Sequence, residues 1–139
     1  MNSEAILLDG SDLALSETEA KIAASLASAT DVDANVYRAC EQLEVVLANV
    51  LRLLAGNRQS RYWQLDDLSC TSFGRAGDVV TLQGIPNWLR GGEGCDRFCI
   101  DVALDTSPLL YSYKFTRSVT DEQLLYVGKT PTGWLVHGP

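Results

Sequence analysis

Four thiols, one imidazole and two adjacent carboxylates are the side chains with chemistry to offer, and their spacing decides what each is fit for. Cys95 and Cys99 stand close enough in sequence to suggest a redox pair or two metal ligands. In an extended strand, four steps of about 3.3 Å would separate their Cα atoms by about 13 Å, beyond a disulfide's limit of about 7 Å. The β pattern there predicts separate thiols. A turn at Gly94 to Asp96 is the one route to a metal or disulfide role, with Cys70 or His137 as partner. Cys40 falls among apolar residues at helical spacing and reads as a small buried hydrophobe. Four cysteines in 139 residues are too sparse for a disulfide scaffold, so reduced thiols are expected.

His137 is the only histidine, so any Ser/His/Asp or Cys/His arrangement must use it. It stands at the C-terminal end, where fraying argues against catalysis. Asp66 and Asp67 are a possible carboxylate pair, but neighbours on a strand point to opposite faces, and a turn or bulge is the expected role. Gly91-Gly92-Glu93-Gly94 is followed by neither Lys-Ser/Thr nor a helix, so it is no phosphate loop. No catalytic residue, metal site or cofactor is assigned. The segment Gly84 to Gly94 reads as a long loop, and within it Trp88 and Arg90 are residue types enriched among binding hot spots. Either it is a working surface, or Trp88 and Leu89 tuck back to close one end of a sheet.

These groups are positioned by two unlike halves. Up to Gly56 there are nine acids against three bases, with helical apolar spacing; from Asn57 onward come short β-patterned runs holding ten of the eleven aromatics. Ser16-Glu17-Thr18-Glu19 has the form of a capping box and predicts a helix starting there, with Ile22, Leu26 and Ala29 on its apolar side to near Thr30. Asp31 or Asp33 can cap a second helix from about Ala34 to Ala55, stopped by Gly56 and Asn57. Val36, Cys40, Leu43, Leu47, Val50 and Leu54 form a heptad-like seam on it. Ala39, Val45, Val46, Leu51 and Leu53 widen that seam, leaving Arg38, Glu41, Ala48, Asn49 and Arg52 as a narrow polar face. Such a helix lies between the first helix and a sheet, or offers part of its surface to a homodimer.

Expected strands are Arg61 to Leu65, Leu68 to Phe73, Asp78 to Gln83, Arg97 to Leu104, Leu109 to Arg117, Gln123 to Gly128 and Trp134 to His137. Their connections are mostly too short for parallel crossovers, so an antiparallel meander follows, at least over the last four. Alternation puts Phe98, Ile100 and Val102 on one face and Arg97, Cys99 and Asp101 on the other. Tyr111, Tyr113 and Phe115 likewise oppose Ser112, Lys114 and Thr116. The whole is a single α+β domain, residues 1–139, with a helical hairpin (1–56) packed on a mostly antiparallel sheet (57–139) of about six strands.

Net charge of −7 and a pI near 4.5 disfavour nucleic acid and anionic membranes and favour a basic protein partner. Met1 to Gly10 lacks the form of a secretory signal, and the most apolar stretch is shorter than the ~20 residues that span a bilayer, so a cytoplasmic protein is expected. The function expected first is a non-catalytic acidic protein-binding module, of inhibitor, immunity, chaperone or adaptor type, working through Trp88, Arg90, Glu41 and Glu44. The alternative is a curved or barrel-like sheet around a small-molecule pocket, with or without enzymatic activity. Arg97, Asp101, Tyr111, Tyr113, Lys114 and Trp134 would line it.

Overall fold

Period-two alternation in the C-terminal half builds the sheet, and period 3.6 in the N-terminal half builds its cover. A computed structural model describes residues 5–8, 14–57 and 63–138. In chain order the elements are β1 (Ala5–Leu8), α1 (Ser16–Ser28), α2 (Ala34–Asn57), β2 (Gln64–Ala76), β3 (Val79–Arg90), β4 (Arg97–Ala103), β5 (Leu110–Arg117), β6 (Glu122–Thr130) and β7 (Gly133–His137). The strands form one seven-stranded antiparallel sheet in the order β1-β7-β6-β5-β4-β3-β2. From β2 onward it is an unbroken meander, as the short connections require. β1 is additional to the expected strands; it pairs with β7, Ala5 opposite His137 and Leu8 opposite Trp134. The start of the first expected strand, Arg61 and Tyr62, and the side chain of Leu54 lie outside the described residues.

The helical expectations hold in outline, with corrections. The capping box does not form: Leu15 occupies the cap position without a side-chain bond, and the Glu19 N–H donates to the Leu15 carbonyl at 2.8 Å. Glu19 sits three and seven residues before Ile22 and Leu26, on the same buried stripe, and that position draws its carboxylate toward the sheet. At α2 the cap is Asp33, whose carboxylate accepts from the N–H groups of Asn35 (2.9 Å) and Val36 (3.2 Å). Asp31 bonds only to the N–H of Val32. Gly56 and Asn57 are still helical. Val36, Cys40, Leu43, Leu47 and Val50 are buried, with Ala39, Val46 and Leu51 beside them. Val45 is not: at 50% exposure it joins Tyr37, at 55%, on an outward face broader than expected.

The inward rows, Phe98, Ile100 and Val102 with Tyr111, Tyr113 and Phe115, are buried, while the alternate residues on β4 and β5 are only partly covered. Tyr113 ties the layers together by donating its hydroxyl to the Leu43 carbonyl in α2 at 2.8 Å. The expected loop from Gly84 is instead a continuation of β3 to Arg90, with Pro86 paired opposite Leu68 and Trp88 opposite Leu65. Proline argues against a strand because it lacks a donor. Here it is tolerated because the β3–β4 pairing ends at Gly84, leaving Pro86 beyond that ladder. Gly84 is needed as glycine: a Cβ there would lie 1.9 Å from the Ser69 carbonyl oxygen, where β2 presses close beside its irregular pairing between Cys70 and Ser72.

Candidate functional site

The residues with chemistry to offer are distributed over three places: the seam between α2 and β2, the helix-covered face of the sheet, and its open face. At the seam, Glu44 projects from the flank of α2 and its Oε2 accepts from the Leu68 N–H at 2.9 Å. β2 is an edge strand, and an edge carries unpaired backbone donors that invite another strand. Glu44 satisfies one of them. Pairing irregularities flank Leu65, and Asp66 is the residue skipped between Leu65 and Asp67, so the acidic pair does sit at a bulge. That bulge brings Asp66 and Asp67, like Glu41, within electrostatic reach of Glu44. Burial pushes the Glu44 carboxyl above its ordinary pKa, the Leu68 N–H works the other way, and the charges of Asp67, Glu41 and Asp66 push it up further.

Among the described residues, none of these four acids belongs to an ion pair within 4.0 Å. Nor, among the described residues, are any three acids, histidines or cysteines placed to hold a metal ion. Tyr37 and Val45, the exposed apolar residues of α2, lie one turn either side of Glu41. Arg90 is exposed at the end of β3, opposite Gln64, two positions before Asp66.

Trp88 is turned inward. Its ring meets those of Trp63 and Phe115 edge-on, each at a centroid distance of 5.2 Å, and its Nε1 donates to the Cys95 carbonyl at 3.2 Å. The ring also lies against Gly92, whose φ of +69° and lack of a Cβ allow the chain to fold over it. Of the two roles open to this segment, the geometry is that of Trp88 closing one end of the sheet, while Leu89 stays 64% exposed.

The six residues of the expected pocket do not meet in one cavity. Tyr111, Tyr113 and Trp134 are buried beneath the helices, whereas Arg97, Asp101 and Lys114 occupy the opposite face. The physical reason is the pleat itself, which separates odd from even positions along β4 and β5. On the open face Asp101 accepts from the Thr81 hydroxyl at 2.7 Å and faces Lys114 at 3.9 Å, and Arg97 pairs with Asp121 and Thr116. A shallow depression of about 290 Å³, lined by Val79, Asp101, Ser112 and Tyr126 and reaching Tyr111 and Lys129, brings together two of the six, Asp101 and Tyr111.

On the covered face is a polar cluster that the sequence analysis missed. The Glu19 carboxylate accepts from the Tyr111 hydroxyl at 2.7 Å and from the Lys129 ammonium at 2.8 Å. Lys129 also lies over the rings of Tyr111 (5.9 Å) and Trp134 (5.7 Å). Burial, reinforced by Tyr113 and Glu19, raises the Tyr111 phenol well above its ordinary value. This cluster pins α1 to the sheet.

Cys99 and His137 share a cross-strand row, but Lys114 and Tyr126 stand between them, which at about 4.8 Å per strand is about 14 Å. Cys95 is buried outside the strand and Cys99 is on the open face; both are free thiols. Among the described residues no helix is long and apolar enough to cross a membrane. Set against protein-family models, curated proteins and solved structures, the chain matches none.

Proposed function

We propose that the chain is a non-catalytic protein-binding module that takes a basic partner along the α2–β2 seam. The observation that carries this is the convergence of Glu41, Glu44, Asp66 and Asp67 beside exposed Tyr37 and Val45. Like charges gathered at a partly buried seam oppose one another's ionisation. An arriving Lys or Arg relieves that cost, and Tyr37 and Val45 supply apolar contact around it. Trp88 supports the surface from within rather than reaching out, while Arg90 marks its end. This gives the acidity of the helical half a function beyond favourable placement near helix N-termini.

The test is affinity capture from the native host with wild-type bait and with Glu41→Lys/Asp67→Lys bait, at low and moderate salt. The reading predicts a stoichiometric basic protein that the wild type retains at low salt and the charge-swapped bait does not. Surface pairing of this kind should weaken as screening shortens to a Debye length of about 8 Å at physiological strength. Capture that survives the charge swap but is lost on Ser112→Arg, in the floor of the open-face depression, would overturn the reading. A metabolite recovered with the purified protein and displaced by the same Ser112 change would move the function to that depression.

A further inference from the structure

Four strands bring two unlike rows together at one end of the open face. Thr81 pairs with Asp101, Asp101 with Ser112 and Ser112 with Gly128, so these residues form one row across β3, β4, β5 and β6. Gly128 offers no side chain, and Tyr126 uses the space: a Cβ at Gly128 would stand 2.5 Å from the Tyr126 hydroxyl oxygen. The row therefore runs from the Thr81 hydroxyl through the Asp101 carboxylate and the Ser112 hydroxyl to a phenol, one group per strand at about 4.8 Å. The next row, toward the β4–β5 turn, is apolar, with Val79 opposite Ala103 and Ala103 opposite Leu110. Members of both rows line the depression of about 290 Å³. That volume lies close to the lower end, about 300 Å³, of sites that take small molecules.

One Asp101 oxygen accepts from the Thr81 hydroxyl at 2.7 Å, while the other lies 3.9 Å from the Lys114 ammonium, too far for a hydrogen bond. A hydroxyl oxygen set beside that gap accepts from the ammonium and donates to the carboxylate at once. Among the described residues the hydroxyls of Ser112 and Tyr126 have no hydrogen-bond partner, and each can donate or accept. A charged ligand meets repulsion in either sign, an anion from Asp101 and a cation from Lys114. A wholly apolar ligand would take water from Asp101, Ser112 and Tyr126 without replacing its bonds. The chemistry that fits is a neutral molecule with hydroxyls along one edge and C–H groups along another.

We infer that this depression binds a hexopyranose, either a free sugar or the terminal residue of a glycan. One ring hydroxyl bridges Lys114 and Asp101, a neighbouring hydroxyl meets Ser112 and Tyr126, and the C–H edge rests on Leu110, Ala103 and Val79. The depression is shallow, so its occupant exchanges freely and is not carried through purification. The site is separate from the α2–β2 seam and stands whether or not the seam takes a protein.

The experiment follows the amide resonances of the folded wild-type protein while glucose, galactose or mannose is added, with butylamine, butyrate and cyclohexanol as controls. At least one hexose should give saturable shifts at Asp101, Ser112 and Tyr126, with a midpoint on the order of 10 mM. Asp101→Asn should weaken that binding about tenfold, because a hydroxyl donating to a charged acceptor loses it; the wild-type titration decides the matter if the variant fails to fold. The methyl glycoside of the same hexose tells the two sources apart, since it blocks a site for the free sugar and leaves a glycan-end site intact. Absence of saturable shifts for all three hexoses at ten times that midpoint would overturn the inference. So would butylamine or butyrate shifting these residues where the hexoses do not, or cyclohexanol binding as tightly as a hexose.

Discussion

Each helix sends one glutamate to the sheet, and the two meet opposite receptions. Glu19 of α1 finds a cation and a phenol, Lys129 at 2.8 Å and Tyr111 at 2.7 Å, so its charge is balanced where it is buried. Glu44 of α2 finds a single backbone N–H and, around it, Asp67, Glu41 and Asp66. One carboxylate completes a pair; the other joins an excess. The difference teaches where acidity serves the fold and where it is left for something else to neutralise. That comparison, rather than total charge, is why the seam and not the α1 contact is proposed as the binding surface.

The comparison is broken most severely by removing the cation from the balanced site. Lys129→Ala should cost about 3 to 5 kcal/mol in denaturant melts, because it leaves the Glu19 charge buried without its partner. Glu19→Gln combined with Lys129→Met should recover much of that loss. Equal costs for the single and double variants would show that the cluster is held by packing rather than charge. Next in size is Leu47→Ala, expected to cost about 2 to 5 kcal/mol through the cavity it opens beneath α2. A change under about 0.5 kcal/mol would contradict the complete burial of Leu47.

Glu44→Ala comes third, at about 1 to 3 kcal/mol, since it orphans the N–H of buried Leu68. Glu44→Gln keeps that acceptor and removes a repelled charge, so at neutral pH it should be neutral or stabilising by less than about 1 kcal/mol. The sign with pH follows from the raised folded-state pKa. The folded chain holds the Glu44 proton more tightly than the unfolded chain does, so stability falls as pH rises through the carboxyl range. The advantage of glutamine should therefore be present at neutral pH and disappear by about pH 4, near the ordinary carboxyl value. Stability curves of the two proteins against pH that never converge would contradict it.

The layers and the direction of the rows on β4 and β5 were legible because alternation and short turns are local signals. The Glu19–Lys129 pair was legible in part and misread. Glu19 matched a capping motif, yet it also stood at the spacing of Ile22 and Leu26, and Lys129 followed Leu125 and Val127 on the core side of β6. A lone acid on one apolar stripe and a lone base on another are a signal for a buried pair, and here the tertiary contact outweighed the local cap. The extension of β3 was hidden by Pro86, whose missing donor matters only where a ladder requires it. Which strand α2 crosses is encoded by nothing within either element. The same non-local placement gathers Glu41 and Glu44 with Asp66 and Asp67.

The most direct measurement is the titration of the Glu44 side-chain carboxyl by carbon-13 NMR, alone and with an arginine-rich peptide. The account predicts a midpoint above the ordinary carboxyl range that falls when the peptide is added, accompanied by shifts confined to Tyr37 through Ala48 and Gln64 through Ser69. A Glu44 midpoint at or below that range, or one that the peptide leaves unmoved while Ser112 and Tyr126 shift, would contradict it.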